Sequence, residues 1–426
     1  HFIGICGTAM GTLAAMLPRR GGALAVQITA KERSCPFDEW QCVEGRCPHI
    51  DRFDLRLRDS GLEARLLRSP VLTGAAITRA AVNAGLCPFE TTLALARQAV
   101  VLVADYNYVF HPGVALKSLL DNRDRPLYLI VDEAHNLPDR VADFYSPRLD
   151  LAAMDRIATL CLAQNSGALR ETGICLDAIV RHHRAAWTAI REELGERPCY
   201  TGELDRHFFE TVQDRLEDLL VDCFLALAGR PSPFPRAPRS PENSGRLSPD
   251  PLLEILFTLR TFCLCAAADP LLFATLVEPH GLRLFCLNPA VFVRQTASRF
   301  TFVLAMSATL TPFSYYARML GVEEDRAVTL ELPSPFPREN RLLLAVSSVD
   351  TSFKARHRDA DAIADLIIRT VSLRTGNYLV FFPSFAFRDL VVSRFPPGAY
   401  RCLLQTPAMR TEAVLRQLRN NRDETL

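Results

Sequence analysis

The chain has 426 residues, room for two to four domains at ~150 residues each. Hydrophobic residues make up 49% and charged residues 23%, which excludes global disorder and a fibrous protein. A formal net charge of +1 gives no general basic excess, so any nucleic-acid site must be a local patch.

No uncharged apolar run reaches the ~18 to 20 residues that span a bilayer. The richest stretch, 252–277, is broken by Arg260, Asp269 and Pro270. No secretory signal is visible and the chain opens at His1, so the reading is a fragment of a cytoplasmic protein. Thirteen cysteines in a chain of this size do not form a dense secreted disulfide framework.

In chain order, residues 2–6 predict a short buried strand, followed by a glycine-rich turn and a helix over about 12–20. Residues 35–60 are rich in Cys, Pro, Asp and Arg with weak periodicity. Continuous apolar runs predict strands at 100–104 and 127–131, the second ending in Asp132-Glu133. From about 150 to 228 the apolar spacing is helical. Six prolines within 231–250 predict a flexible linker, and helix is expected again from 251 to about 277. Residues 302–305 predict a strand that leads into Ser307-Ala308-Thr309, and 378–382 and 401–404 predict two more. Buried strands alternating with helices mean a parallel α/β sheet, whose ligands bind at the carboxyl ends of its strands. Asp132 and Ser307 both sit at strand ends, 175 residues apart with a helical block between. One sheet interrupted by a helical insertion accounts for that.

Three constellations carry chemistry. Asp132-Glu133-Ala134-His135, after a buried strand, suits a nucleotide triphosphatase. Asp132 can hold Mg²⁺, Glu133 can deprotonate the attacking water, and His135 can pass on the nucleotide state. An acidic helix N-terminus is the plain alternative. Ser307 and Thr309 offer hydroxyls that can bond the acidic motif, or can simply cap a helix near Pro312. Cys35, Cys42, Cys47 and Cys87 are separated by six, four and thirty-nine residues. Four thiolates can bind a 4Fe–4S cluster or a zinc, or can be unliganded core cysteines. Structural zinc sites usually use paired Cys-x₂₋₄-Cys knuckles, and only the Cys42–Cys47 gap is that short.

Together, and in this order, these motifs resemble the iron–sulfur XPD/DinG-type helicases of superfamily 2, in particular the bacterial branch. Thr29 to Cys35, Cys87 to Glu90, Asp105 to Phe110, Ser334 to Phe336, Val380 to Ser384 and Gln405 to Met409 match as well. The resemblance runs from about residue 24 to the end of the chain. It implies a RecA-like motor domain (91–145 and 282–330) with an iron–sulfur insertion (31–90) and a helical arch insertion (146–281, with a loop at 229–250). A partial second RecA-like domain (331–426) follows. It further implies ATP-dependent 5′-to-3′ translocation on single-stranded DNA and duplex junctions, often in DNA repair. Cys35, Cys42, Cys47 and Cys87 then become cluster ligands. Glu133 and Asp132 act in catalysis, with His135, Ser307 and Thr309 in coupling.

Two departures stand out. None of the three lysines (Lys31, Lys117, Lys354) follows a glycine, so the family's Gly-Lys-Thr phosphate loop is not in these residues, and its arginine-bearing last motifs do not appear before Leu426. These 426 residues are therefore expected to be inactive by themselves. Residues 1–17, with Gly4, Gly7 and Gly11, instead resemble the opening of a Mur ligase that attaches murein peptide to UDP-N-acetylmuramate. Residues 1–30 are read as a fusion junction, with a glycine-rich strand–helix turn that merely packs as the alternative. The rival functions are a non-motor iron–sulfur DNA-binding scaffold and, on the N-terminal segment alone, a Mur-type ligase.

DNA contacts are expected at Lys31, Arg33 and Arg46, in a basic patch with Arg52, Arg56 and Arg58 beside Trp40 and Phe53. Interleaved acids allow the patch to be a solvated charged face instead. Tyr106 and Tyr108 follow a strand and are read as base-stacking or core, with Tyr108 kept as a DNA contact.

Overall fold

A computed structural model describes residues 2–5 (backbone), 23–37, 42, 47–114, 116, 120, 126–227, 233–234, 250–323, 326–396, 402–406 and 409. The predicted helix at 12–20, Gly7, Gly11, Trp40, Arg46 and most of the proline-rich 231–250 stretch lie outside them. The chain divides into two compact units, one running to Thr329 and one from Leu330.

In the first unit the strands are β1 (Phe2–Ile5), β2 (Ala25–Gln27), β3 (Val71–Leu72), β4 (Val101–Ala104), β5 (Tyr128–Val131), β6 (Arg148–Asp150), β7 (Tyr200–Gly202), β8 (Phe273–Glu278), β9 (Gly281–Cys286) and β10 (Phe302–Ala305). Six of them form one sheet in the order β10-β5-β1-β4-β2-β3, with every pair parallel. The parallel α/β architecture expected from the sequence is therefore present. Val101, Leu102, Leu129 and Val131 are buried, as strands covered on both faces require. β1 belongs to the segment that the sequence sets apart at 1–30, yet it is hydrogen-bonded between β4 and β5, in the middle of the sheet.

Residues 132–301 depart from the sheet and return beside it, since β10 pairs directly with β5. The departing block contains the helices Leu151–Leu162, Gly167–Leu194, Arg206–Leu227 and Pro251–Ala266. Two of them start where the sequence caps them: Asp150 accepts from Ala153 N at 2.9 Å, and Asp250 from Leu252 N at 3.0 Å, with Pro251 in the first turn. Gly173 lets the first two helices touch, because a Cβ there would stand 2.9 Å from Cys161 Cβ.

The block is not wholly helical, as the reading of 146–281 had it. An antiparallel sheet ordered β6-β9-β8-β7 crosses it. The helix expected to run to about 277 stops at Ala266, and Phe273–Glu278 is a strand. Its buried side chains are Phe273, Thr275 and Val277, a two-residue period that an apolar run disguises as helix. The missed signal was the proline break at Asp269-Pro270 and the two-residue turn Pro279-His280 between β8 and β9.

In the second unit the helices Ala360–Ser372 and Phe385–Val392 pack through Ile363, Ala364, Phe387 and Val391. The strands predicted at 378–382 and 401–404 are corrected here: no described residue of either segment is in a strand. Leu379 and Phe381 are exposed. An apolar run becomes a strand only when neighbours take up its N–H and C=O groups, and the described residues supply none there.

Candidate active site and cysteine centre

Register decides the first site. Ala305 of β10 stands opposite Val131 of β5, so the segments that leave the two strands emerge side by side. Two backbone bonds stitch them together: Met306 N donates to Val131 O at 2.9 Å, and Ala134 N donates to Met306 O at 3.0 Å. Asp132 is buried, and one of its carboxylate oxygens accepts from Glu133 N at 3.0 Å. Glu133 takes the left-handed conformation (φ 50°), unfavourable for a residue with a Cβ, and its carboxylate is thrown outward, half exposed.

Two other predicted residues, His135 and Ser307, meet at that carboxylate, and Thr309 joins through Ser307. His135 Nδ1 lies 3.3 Å from Glu133 Oε2 and 2.7 Å from Ser307 Oγ. The Ser307 hydroxyl reaches Glu133 Oε2 at 3.4 Å and Thr309 Oγ1 at 3.4 Å, and accepts from Thr309 N at 3.2 Å. The acidic turn of β5 is thus tied through one serine to the turn after β10.

Tyr106 completes the site. At the end of β4, its hydroxyl bonds the carbonyls of Asp132 at 2.5 Å and Glu133 at 3.1 Å. Sequence reasoning missed this role. The only local signal was a tyrosine just past the end of a buried strand.

Among the described residues no three His, Cys, Asp or Glu side chains form a group that could hold a metal ion. That does not count against Mg²⁺ at Asp132. In phosphoryl-transfer sites the ion keeps several waters, and one or two carboxylates plus the substrate phosphates complete its shell.

The second candidate is the cysteine segment. Cys35 ends the short helix Lys31–Ser34, and Cys87 is the N-cap of the helix Pro88–Ala96. Cys47 and Cys87 are buried, Cys35 and Cys42 half-buried. Burial raises the Cys35 thiol, opposed by the Phe37 N–H, with a smaller contribution from Cys47, and Cys35 and Cys87 add a little to the rise at Cys42. Burial is the larger cause, pushing Cys42 up to about 11, while the Lys31 ammonium opposes it and hydrogen-bonds the Cys42 sulfur. Burial also raises Cys87, against the N–H groups of Glu90 and Phe89, which point at its sulfur. A small core of Leu57, Leu62, Ala81 and Leu86 supports the segment.

The predicted DNA contacts separate. Arg33 is exposed. Lys31 faces the thiols and lies 5.4 Å from the centre of the Phe89 ring, so it is held inward. Arg46 is outside the described residues. Tyr108 is corrected: it is 5% exposed and packs on Ile28 and Ala104, so its ring faces are not open to a base. Arg56, placed in the basic patch from sequence, bonds backbone carbonyls instead.

Residues 25–154 match the DEAD_2 family. The chain is 20% identical over 404 residues to the ATP-dependent DNA helicase CHL1 of Sclerotinia sclerotiorum, covering 83% of this chain and 43% of that protein. It therefore spans less than half the length of that curated relative. Among solved structures, it aligns with an XPD helicase at TM-score 0.49 and 15% identity (100% of this chain, 76% of the other). It aligns with Xpd4 of S. tokodaii at 0.45 and 12% (100% and 75%). The DEAD_2 match thus runs from β2 through the acidic turn to β6, and the curated relative aligned here is an ATP-dependent DNA helicase.

Proposed function

We propose that this chain is part of an XPD/DinG-like, iron–sulfur DNA helicase that couples ATP hydrolysis to movement along single-stranded DNA, 5′ to 3′ as the resemblance implies. One observation carries the reading: the Asp132-Glu133 turn of β5 is held against Ser307 and Thr309 at the end of the neighbouring β10. An acidic helix N-terminus with an unrelated serine cap would not bring those groups into one network.

In this reading Mg²⁺, once bound with ATP, neutralises charge on the phosphates, and Asp132 is the residue that holds it. Glu133, half exposed, accepts the proton of the attacking water. His135 and Ser307 orient that carboxylate, and any shift of Glu133 reaches β10 through the serine. The arrangement of motor domain, iron–sulfur insertion (31–90), arch insertion and partial second motor domain (331–426) is part of the proposal, as are duplex junctions as substrates and a bacterial, cytoplasmic setting.

The cysteine donor set fits a 4Fe–4S cluster. Four thiols drawn from both ends of one segment can supply the four thiolates such a cluster takes, and Cys35, Cys42, Cys47 and Cys87 are linked by their influence on one another's titration. Cys35, Cys42, Cys47 and Cys87 would hold it. Arg33 and Arg46 are the proposed phosphate contacts on the cysteine segment.

The test joins residues 1–426 to a Gly-Lys-Thr loop and a second motor domain from a relative. DNA-stimulated ATP hydrolysis should appear and be lost in Glu133→Gln, with ATP binding retained. Residues 1–426 alone should show none, since no Gly-Lys-Thr loop lies within them to cradle the phosphates. DNA-stimulated turnover that survives Asp132→Ala would mean that the nucleotide site lies elsewhere.

A further inference from the structure

Cys47 and Cys87 come from distant parts of the chain, and one side chain joins the two places. Arg56, half-buried on the helix Phe53–Asp59, sends Nη1 to the carbonyl of Pro48, the residue after Cys47, and to Asp51 O at 3.4 Å. Its Nη2 donates to the carbonyl of Gly85, two residues before Cys87, at 2.6 Å. A backbone bond runs beside the fork, from Cys87 N to His49 O at 2.9 Å. Gly85 has φ +66°, and a Cβ there would sit 3.0 Å from Nη2, so this glycine leaves room for the guanidinium. Leu57 and Leu86, adjacent to Arg56 and Cys87, are buried in the same small core.

We infer that Arg56 is a positioning residue for the cysteine centre: its fork clasps the loops that carry Cys47 and Cys87 to each other. The inference rests on the cluster reading above. Neighbouring Arg52 and Arg58 are exposed, and neither bonds a carbonyl of either loop among the described residues. A guanidinium suits the task because it presents several donors in one rigid plane, whereas an ammonium is a point charge. Partners that hold metal ligands in place typically matter ~10- to 100-fold for metal retention.

The experiment compares the wild-type chain with Arg56→Met and Arg56→Lys, purified without oxygen. It reads iron and sulfide per chain, the visible absorption, and the rate at which that absorption fades in air. Far-UV circular dichroism and thermal melting report the fold. The expected result is a brown wild type, with fading ~10- to 100-fold faster in Arg56→Met at unchanged helix content. Arg56→Lys keeps the charge but not the fork, so it should fade fast as well. It also keeps the proposal testable if Arg56→Met does not fold. Wild-type fading rates in a folded Arg56→Met would overturn the inference, and so would full rescue by Arg56→Lys, which would leave charge alone as the cause. A colourless wild type carrying zinc would overturn the cluster reading itself, a result distinct from either.

Discussion

The substitution Tyr106→Phe removes one oxygen and leaves the ring. That oxygen bonds the carbonyls of both acids, Asp132 at 2.5 Å and Glu133 at 3.1 Å. A typical intramolecular hydrogen bond contributes ~0.5 to 1.5 kcal/mol net, and a buried carbonyl left without its partner costs ~1 to 3 kcal/mol more. Glu133 holds a left-handed backbone that costs ~1 to 3 kcal/mol and persists only while its surroundings enforce it. Water can reach the turn, because Glu133 is exposed, so the lower part of these ranges applies. A loss of ~1 to 2 kcal/mol in local stability is the expectation, or ~5- to 30-fold in the opening equilibrium. Amide hydrogen exchange reads this directly at Ala134 N, which is bonded to Met306 O, and at Met306 N, which is bonded to Val131 O. Both should exchange ~5- to 30-fold faster in Tyr106→Phe, while Leu284 N, bonded to Pro147 O in the inserted block, should not change. Equal protection at the two site amides would refute the argument that the hydroxyl holds the acidic turn.

Three further outcomes are expected. Anaerobically purified chain should contain about four irons and four sulfides, and serine at Cys35, Cys42, Cys47 or Cys87 should bleach it. If the cysteine segment tracks phosphates, Arg33→Ala should lower the slope of log K against log salt for single-stranded DNA by ~0.7; an unchanged slope would remove Arg33 from the DNA path. His183, 3% exposed with its Nε2 2.8 Å from Glu278 O, has its pKa lowered from 6.5, chiefly by burial and then by the charges of His182, His280 and Arg184, against the Glu278 carbonyl. The unfolded chain therefore takes up a proton below pH 6.5 before the folded one does, so stability is full above that pH and falls as pH drops below it. A melting series from pH 7.5 to 5 should show this decline, and His183→Gln should flatten it.

Much of the candidate active site could be read in the sequence because its signals are local. A buried strand followed by two acids, and another followed by Ser307-Ala308-Thr309, mark strand ends without reference to any partner. Adjacency was inferred from economy, and the register Ala305 opposite Val131 made it a contact. The cysteines were equally visible, although their mutual influence was not. Roles that depend on carbonyl oxygens could not be read. Tyr106 acts on a carbonyl 26 residues away and Arg56 joins carbonyls 8 and 29 residues away, and every residue type offers the same carbonyl. Tyr108 shows the reverse: an aromatic ring that could stack on a base became core, because Ile28 and Ala104 surround it.

Side-chain period and chain punctuation determined, from sequence alone, where most strands of the parallel sheet begin and end. Tertiary structure decided which runs became strands at all. Residues 273–278 pair with 281–286 and form β8, whereas 378–382, as apolar, have no ladder partner among the described residues and remain irregular. The physical reason is that a strand's backbone groups are satisfied by another segment, so its existence depends on a neighbour that the run itself does not encode.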